Sequence, residues 1–296
     1  MGFAVLDASA RYVENMEEIA MPEDIQSLAR MALRIPGARK AFKWVTSSWG
    51  EGRIYTIRSG PMRGLRWRRE NRFPYWYHTG RYEPEISTLI AARLKPGETY
   101  WDIGAHAGYH TLQGARVVGP QGQVLAVEPE PSVCRSLREQ LALNVLRNVT
   151  VLQAAVSDTV GSARLVVREG DDTRGSALES VHNTAIRNSK GVRIDIPTTT
   201  LDELAERFPA PDLLKMDIEG SESAALRGGG RLWEGKRRPR RILLSCHGHE
   251  TCAFCRAFLL GLGYRLEATT TGGTLIAVDG APGRDRAGGG SAQKNR

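Results

Sequence analysis

Cysteine is scarce in this chain: four in 296 residues, with no spacing that suggests a disulfide framework. A reduced, cytoplasmic protein is therefore expected. Long apolar runs are also missing, and none approaches the length that crosses a bilayer, so no membrane span is expected. The N-terminus, Met1-Gly2-Phe3-Ala4, has no basic stretch ahead of an apolar one, and Leu6 stands where a myristoylation signal wants Ser or Thr. Residues 1–60 show no repeat and no catalytic motif. What remains is a soluble globular composition, 41% hydrophobic and 25% charged. The length allows one large α/β core with appendages and leaves little room for a second full domain.

The glycines of a dinucleotide site are absent too. A G-x-G-x-x-G loop starting at Gly104 would need glycine at 106 and 109, where His106 and Tyr109 stand. Without a close-approach glycine in the middle, a pyrophosphate cradle is disfavoured. What is present is Asp102-Ile-Gly104-Ala-His-Ala-Gly108, between a short apolar run at 99–103 and a helical pattern carrying Leu112, Ala115 and Val118. A glycine turn between strand and helix lets a ligand approach backbone N–H groups. A second strand, 123–127, ends in Glu128, at about the interval where an acid takes ribose hydroxyls. These features predict a nucleoside-containing cofactor. The Asp-x-Gly-x-x-x-Gly loop suits a compact zwitterion such as the methionine end of S-adenosylmethionine, with Asp102 facing its amino group directly or through water.

Along the chain, residues 1–78 read as an extension: helical and irregular first, then a strand pair at 54–57 and 65–68 ending in Pro74-Tyr-Trp-Tyr-His78. From Glu83 the β/α rhythm takes over, with a helix over 84–94 stopped by Lys95-Pro96-Gly97. Strands over 99–103, 123–128, 149–156, 192–196, 211–216, 241–246, 264–268 and 274–278 follow. Helices are predicted over 108–118, 131–144, 201–207 and 251–262, the last burying Phe254, Phe258 and Leu262. Thr200-Leu-Asp-Glu203 reads as a capping box. Residues 168–191 interrupt the rhythm with a polar stretch of the kind that forms a lid or a loop. The catalytic unit is expected over 79–280, and residues 281–296 form a Gly-rich, charged tail of disordered character. The alternation predicts a doubly wound, mostly parallel sheet.

Net charge +8 invites an anionic partner. Part of it lies in the tail, and the rest includes clusters at Arg63–Arg72 and Lys236–Arg241. The second falls between a helix and a strand, where a solvated loop costs little. Nucleic acid is disfavoured as a partner, and an RNA methyltransferase is kept as an alternative function.

In an open α/β sheet ligands bind outside the carboxyl ends of the strands. The polar residues there are Asp102, Glu128, Asp158, Asp217 with Glu219, and His247. Asp158 either accepts from the adenine amino group or is a turn residue before Gly161. Asp217 lies where a strand leaves the core beside the glycine loop, a costly place for an idle carboxylate. That favours a role near the cofactor's sulfonium or a metal. Glu219 is read as a cap for the following helix.

Taken in order, Gly80-Arg-Tyr-Glu83-Pro84, Trp101-Asp-Ile-Gly-Ala105, Val127-Glu-Pro129, Ala155-Val-Ser-Asp158, Thr200-Leu-Asp202, Lys215-Met-Asp-Ile-Glu-Gly220 and Leu262-Gly-Tyr264 resemble the FkbM-like family of S-adenosylmethionine-dependent methyltransferases, over about residues 79–270. The resemblance implies a class I methyltransferase (Rossmann-like) fold and O-methylation of a hydroxyl on a small molecule or glycan. It carries Glu83, Asp102, Gly104, His106, Gly108, Glu128 and Asp158 into the cofactor site and Asp217 and His247 into catalysis. Two positions depart from it. His106 replaces the family's usual Asn, and Ser245 stands where an acid often precedes the histidine-bearing strand end.

Methyl transfer to oxygen is accelerated mostly by orienting the acceptor, with a base helping a poorly acidic hydroxyl. His247 is the candidate base, against the alternative of a histidine bonded to a loop carbonyl. Cys246, His247, His249, Cys252 and Cys255 also lie close together, with Cys252-Ala-Phe-Cys255 at a zinc-like spacing. The thiol pair is read as packing of the helix and no metal is assigned. A cofactor-binding module without catalysis is the remaining alternative.

Overall fold

The computed structural model describes residues 50–73, 75–168, 176–179, 191–235, 238–267 and 273–280. The helices expected within residues 1–49, most of the 168–191 insertion and the tail from 281 lie outside them.

The first apolar segment, β3 (Thr99–Ile103), is buried at every position, as a strand covered on both faces must be. It becomes the middle of a seven-stranded sheet ordered β12-β13-β11-β10-β3-β4-β5. The members are β4 (Gln123–Val127), β5 (Val149–Leu152), β10 (Leu213–Met216), β11 (Arg241–Leu244), β12 (Tyr264–Leu266) and β13 (Leu275–Asp279). Strands β5, β4, β3, β10 and β11 run parallel, and β13 inserts antiparallel between β11 and β12. That order is the class I methyltransferase fold implied by the sequence.

Helices cover both faces. Ile86 and Ile90 bury α1 (Pro84–Arg93); Leu112, Ala115 and Val118 bury α2 (Tyr109–Val118); Val133, Leu137 and Leu141 bury α3 (Pro131–Leu143). On the other side lie α4 (Leu201–Arg207), α5 (Glu222–Arg227), α6 (Gly230–Glu234) and α7 (His249–Gly261). The capping box at α4 forms on one arm: Thr200 Oγ1 accepts from Glu203 N at 3.1 Å, while the Glu203 carboxylate accepts from Thr199 Oγ1 instead of reaching back. In α7 the fully buried positions are Cys255 and Leu259; Phe254, Phe258 and Leu262 pack partly buried at the margin.

Two regions differ from the sequence expectation. The single strand expected over 149–156 divides: β5 stays in the main sheet, and β6 (Ala155–Val156) pairs parallel with β9 (Gly191–Thr199). A hairpin partner, β7 (Gly161–Arg168), pairs antiparallel with β9 and with β8 (Ala177–Leu178). The apolar alternation of β9 begins at Val192, but Val192 is exposed and burial follows the pattern only from Ile194.

The expected strand pair forms as β1 (Ile54–Thr56) and β2 (Arg66–Arg68), antiparallel. It shares one core with the catalytic unit. Ile57, Met62 and Trp67 pack with Phe73 and Tyr77 against Tyr109, Leu112, Leu137 and Leu141 of α2 and α3. Gln140 fixes the register, donating to Arg68 O at 2.7 Å and accepting from Arg68 N at 2.9 Å. Trp67, 1% exposed, is the centre of this contact. Trp67→Ala is expected to cost about 3–5 kcal/mol in urea denaturation. A loss under about 1 kcal/mol would show that the hairpin folds apart from this core.

Candidate active site

Asp102 and Lys215 are partners in the parallel register of β3 and β10. Both side chains are buried, and Lys215 Nζ donates to Asp102 Oδ1 at 3.1 Å. The second Asp102 oxygen accepts from Thr111 Oγ1 at 2.6 Å. A lysine in the apolar strand Leu213-Leu-Lys-Met216 is tolerable only with such a partner. Burial works against its charge, but Asp102, Asp217 and Glu83 together raise the ammonium above its usual range. Asp102 was expected beside a ligand; both of its carboxylate oxygens are taken by Lys215 and Thr111 and the side chain is buried, while Lys215 lines the cleft.

The cleft opens at the carboxyl ends of β3, β4 and β10, with an empty volume of about 960 Å³ counting its mouth. Gly104 turns the chain out of β3 at φ 78°, and a Cβ there would stand 1.9 Å from Asp217 O. Only glycine lets the β3 and β10 ends approach this closely. Gly104 N and Ala105 N donate to Val127 O at 2.9 and 3.0 Å. Gly108, at φ 92°, packs on Leu137 where a side chain would clash. The loop then delivers the N-terminus of α2, a region of positive potential.

Glu128 leaves β4 into the cleft, accepting from His106 N at 2.9 Å and Glu130 N at 3.0 Å. Burial pushes its carboxyl up to about 7 despite those two donors. Glu130, also buried, accepts from Ser132 Oγ and Ser176 Oγ, tying the small sheet to the cleft wall. Ala154–Val156, Leu165 and Leu178 make that wall apolar.

Four non-glycine residues in the described chain have positive φ: Glu83, His106, Val145 and Glu219. Three of them, Glu83, His106 and Glu219, line the cleft. Strain concentrated this way accompanies functional geometry. Glu83 accepts from His110 Nε2 at 2.9 Å. Burial opposes its ionisation, yet the His110 bond and the Lys215 charge hold its carboxyl down at about 2. His106 Nδ1 meets Tyr77 Oη at 2.8 Å, which brings the N-terminal extension into the cleft wall.

On the β10 side Asp217 lines the cleft, with its carboxyl raised by burial against the opposing pull of Lys215 and His247. Ser221, the N-cap of α5, makes no side-chain cap hydrogen bond; Glu222 ties down the preceding turn instead, accepting from Gly220 N at 3.1 Å and Ile218 N at 3.3 Å. His247 stands behind this turn rather than in the cleft lining. Its Nδ1 lies 2.8 Å from Glu222 Oε1, and its Nε2 3.7 Å from Asp217 and 3.6 Å from Glu219. Burial disfavours the imidazolium, but Glu222, Asp217 and Glu219 outweigh it and raise His247 to about 9. A histidine that keeps its proton at neutral pH is a poor base, and this, with its place outside the cleft lining, weighs against the base role expected of it.

Of the two readings of Asp158, the turn residue fits its position outside the cleft lining. It follows β6 onto the surface, its side chain 44% exposed and 3.8 Å from Arg227. Ser157 N is taken by Thr199 O, so pairing with β9 carries the turn away from the cleft. Lys215, Glu222 and His110 had no assigned role in the sequence reading. The signals available were a lysine inside an apolar strand and an acid two residues past Gly220. The thiols of Cys134, Cys246, Cys252 and Cys255 are free, and among the described residues no three His, Cys, Asp or Glu side chains are grouped to hold a metal ion.

The sequence profile described as the methyltransferase FkbM domain matches residues 102–266. The hexuronic acid methyltransferase AglP of Haloferax volcanii is 25% identical over 50% of this chain and 56% of its own length. The 2-O-methyltransferase NoeI of Sinorhizobium fredii is 27% identical over 48% and 61%. The chain thus spans little more than half the length of these relatives. A crystallised FkbM methyltransferase from Methylobacillus flagellatus aligns with a TM-score of 0.46 and 15% identity, over 92% of this chain and 59% of that one.

Asp102→Asn leaves the Lys215 ammonium buried without its anion. The expected stability loss at pH 7 is about 3–5 kcal/mol in chemical denaturation. Unchanged stability would return Asp102 to a role in ligand contact alone.

Proposed function

Because the chain belongs to the FkbM methyltransferase family, we propose that it is an S-adenosylmethionine-dependent O-methyltransferase acting on a hydroxyl of a neutral small molecule or glycan. The observation that carries this reading is the pairing of the Gly104 loop with Glu128 across the β3 and β4 ends. The cleft residues fit the cofactor. Glu128, already oriented by two backbone N–H groups, keeps lone pairs free for two ribose hydroxyls. The apolar wall at Ala154–Val156 and Leu178 suits an adenine face. Glu83, Asp217 and Lys215 offer both charge signs to a zwitterionic methionine end.

Bound S-adenosylmethionine supplies an electrophilic methyl on a sulfonium. The chain's part is to hold the acceptor oxygen in line with that methyl and to take the hydroxyl proton as the new O–C bond forms and the C–S pair returns to sulfur. Asp217 is proposed for the proton, since its carboxylate lines the cleft and burial makes it more basic than an exposed aspartate. Tyr77 and Tyr82 flank the same space and suit the face of a sugar ring.

The acceptor class rests on electrostatics. Five carboxylates, Glu83, Glu128, Glu130, Asp217 and Glu219, line the cleft against one lysine. That field repels phosphodiesters although the chain as a whole is +8, which weighs against the RNA reading. Within the described residues no helix is long and apolar enough to cross a membrane. The free thiols fit a reducing, cytoplasmic setting.

Calorimetry with S-adenosylhomocysteine tests the cofactor. Ribose hydroxyls donate to the ionised carboxylate, so Glu128 must lose its proton for binding. With a free-state value of about 7, affinity is expected to fall roughly tenfold from pH 8 to pH 6. Glu128→Gln should weaken binding and flatten that dependence. Affinity constant from pH 6 to 8, or NAD binding in place of the homocysteine compound, would contradict the reading.

Asp217→Asn is expected to lower methyl transfer to neutral glycosides by about 10²-fold or more with the fold retained. Labelled methyl appearing in RNA and in no glycoside or metabolite would overturn the acceptor assignment.

A further inference from the structure

His247 is held from three sides by carboxylates, and only two of them reach the cleft. Glu222 opens α5 with its side chain fully buried. One oxygen, Oε1, is shared among His247 Nδ1 at 2.8 Å, Gly220 N and Ile218 N. The other, Oε2, is buried without a hydrogen-bond partner. Among the described residues, the imidazole is the side-chain cation hydrogen-bonded to this buried anion. An imidazole with both nitrogens protonated donates at each. With Nδ1 committed to Glu222, the ring plane is fixed and Nε2 points between Asp217 and Glu219. Those two carboxylates project from a loop whose backbone is itself constrained, Glu219 at φ 53° and Gly220 at φ 104°.

We infer that Glu222 and His247 form one positioning unit: a buried ion pair whose Nε2 sets where the Asp217 and Glu219 carboxylates stand in the cleft. Neither member touches the acceptor. The unit does for the two cleft carboxylates what a buried acid does for a catalytic histidine, with the roles of imidazole and acid exchanged. A fixed cation between two acids also lets both stay ionised at close range, which mutual repulsion would otherwise oppose. On the β11 and α7 side the ionisable neighbours are the thiols Cys246 and Cys252. The Cys255 hydrogen bond and burial raise Cys246, and burial and Cys246 raise Cys252, so both remain neutral.

This inference rests on Asp217 serving the methyl-transfer cleft, but its test does not need an acceptor. In the full chain carrying labelled histidine and aspartate, NMR titration is expected to show His247 losing its proton near pH 9. Glu222→Gln keeps an acceptor for the backbone N–H groups while removing the charge. It should bring His247 down toward the ordinary histidine range and, by removing a neighbouring negative charge, lower the Asp217 carboxyl. S-adenosylhomocysteine affinity should stay within about threefold, because Glu222 lies outside the cleft lining. Should Glu222→Gln fail to fold, His247→Asn carries the Asp217 readout with the opposite sign, the carboxyl moving upward once the imidazolium is gone. A wild-type His247 titrating near 6.5, or an Asp217 carboxyl indifferent to both substitutions, would overturn the unit. Loss of S-adenosylhomocysteine binding in the wild type would instead sink the functional reading and leave the titration result standing.

Discussion

The buried pair of Lys215 and Asp102 is the constraint from which the site is built. Two neighbouring parallel strands each place a charge at the same register level inside an otherwise apolar sheet, and neither charge is tolerable without the other. Their attraction fixes the relative position of the β3 and β10 ends, which is the position of the glycine loop against Asp217. Gly104 completes the arrangement because a side chain there would collide with the Asp217 carbonyl. The cleft is where the two strands diverge above this pair, and Lys215 carries the pair's positive charge into it.

Around that floor the chemistry divides by wall. On the β4 side, Glu128 takes donors from the loop and from its own strand end, so a carboxylate that could bind ribose also pins the glycine loop in place. The β10 side concentrates acids, and the fixed charge on His247 moderates their repulsion. Strain follows the same division: Glu83, His106 and Glu219 each hold a left-handed backbone in the cleft lining, where packing on both sides can maintain it. An acid-rich interior in a chain of net charge +8 means that overall charge reports on the outer surface, not on what the cleft accepts.

Much of this was legible in the sequence. The five residues of β3, the helix starting after Gly108, the strand ending before Glu128 and the helix stop ahead of Lys95-Pro96-Gly97 follow from apolar runs, glycine turns and Pro-Gly signals, which are local. The glycine loop, Glu128 and Asp217 were identified as cleft residues for the same reason. What was not legible depended on pairing across distance. Nothing local says that Val149-Thr-Val-Leu152 and Ala155-Val156 part into different sheets, because each is a good strand and only β9 decides between them. Asp158 looked like a strand-end acid until that pairing turned it outward. His247 looked like a free imidazole because Glu222 is far from it in sequence, and Asp102 looked like a ligand contact because its partner is on another strand.

The functional reading requires a single cleft that holds the cofactor with its ribose at Glu128 and its methionine end above Lys215. A crystal structure of the full chain with S-adenosylhomocysteine tests it most directly. Both ribose hydroxyls should lie on the Glu128 carboxylate, the amino acid end among Glu83, Lys215 and Asp217, and the sulfur facing Asp217. A ligand with its adenine over Lys215, or one bound away from the β3 and β4 ends, would contradict it.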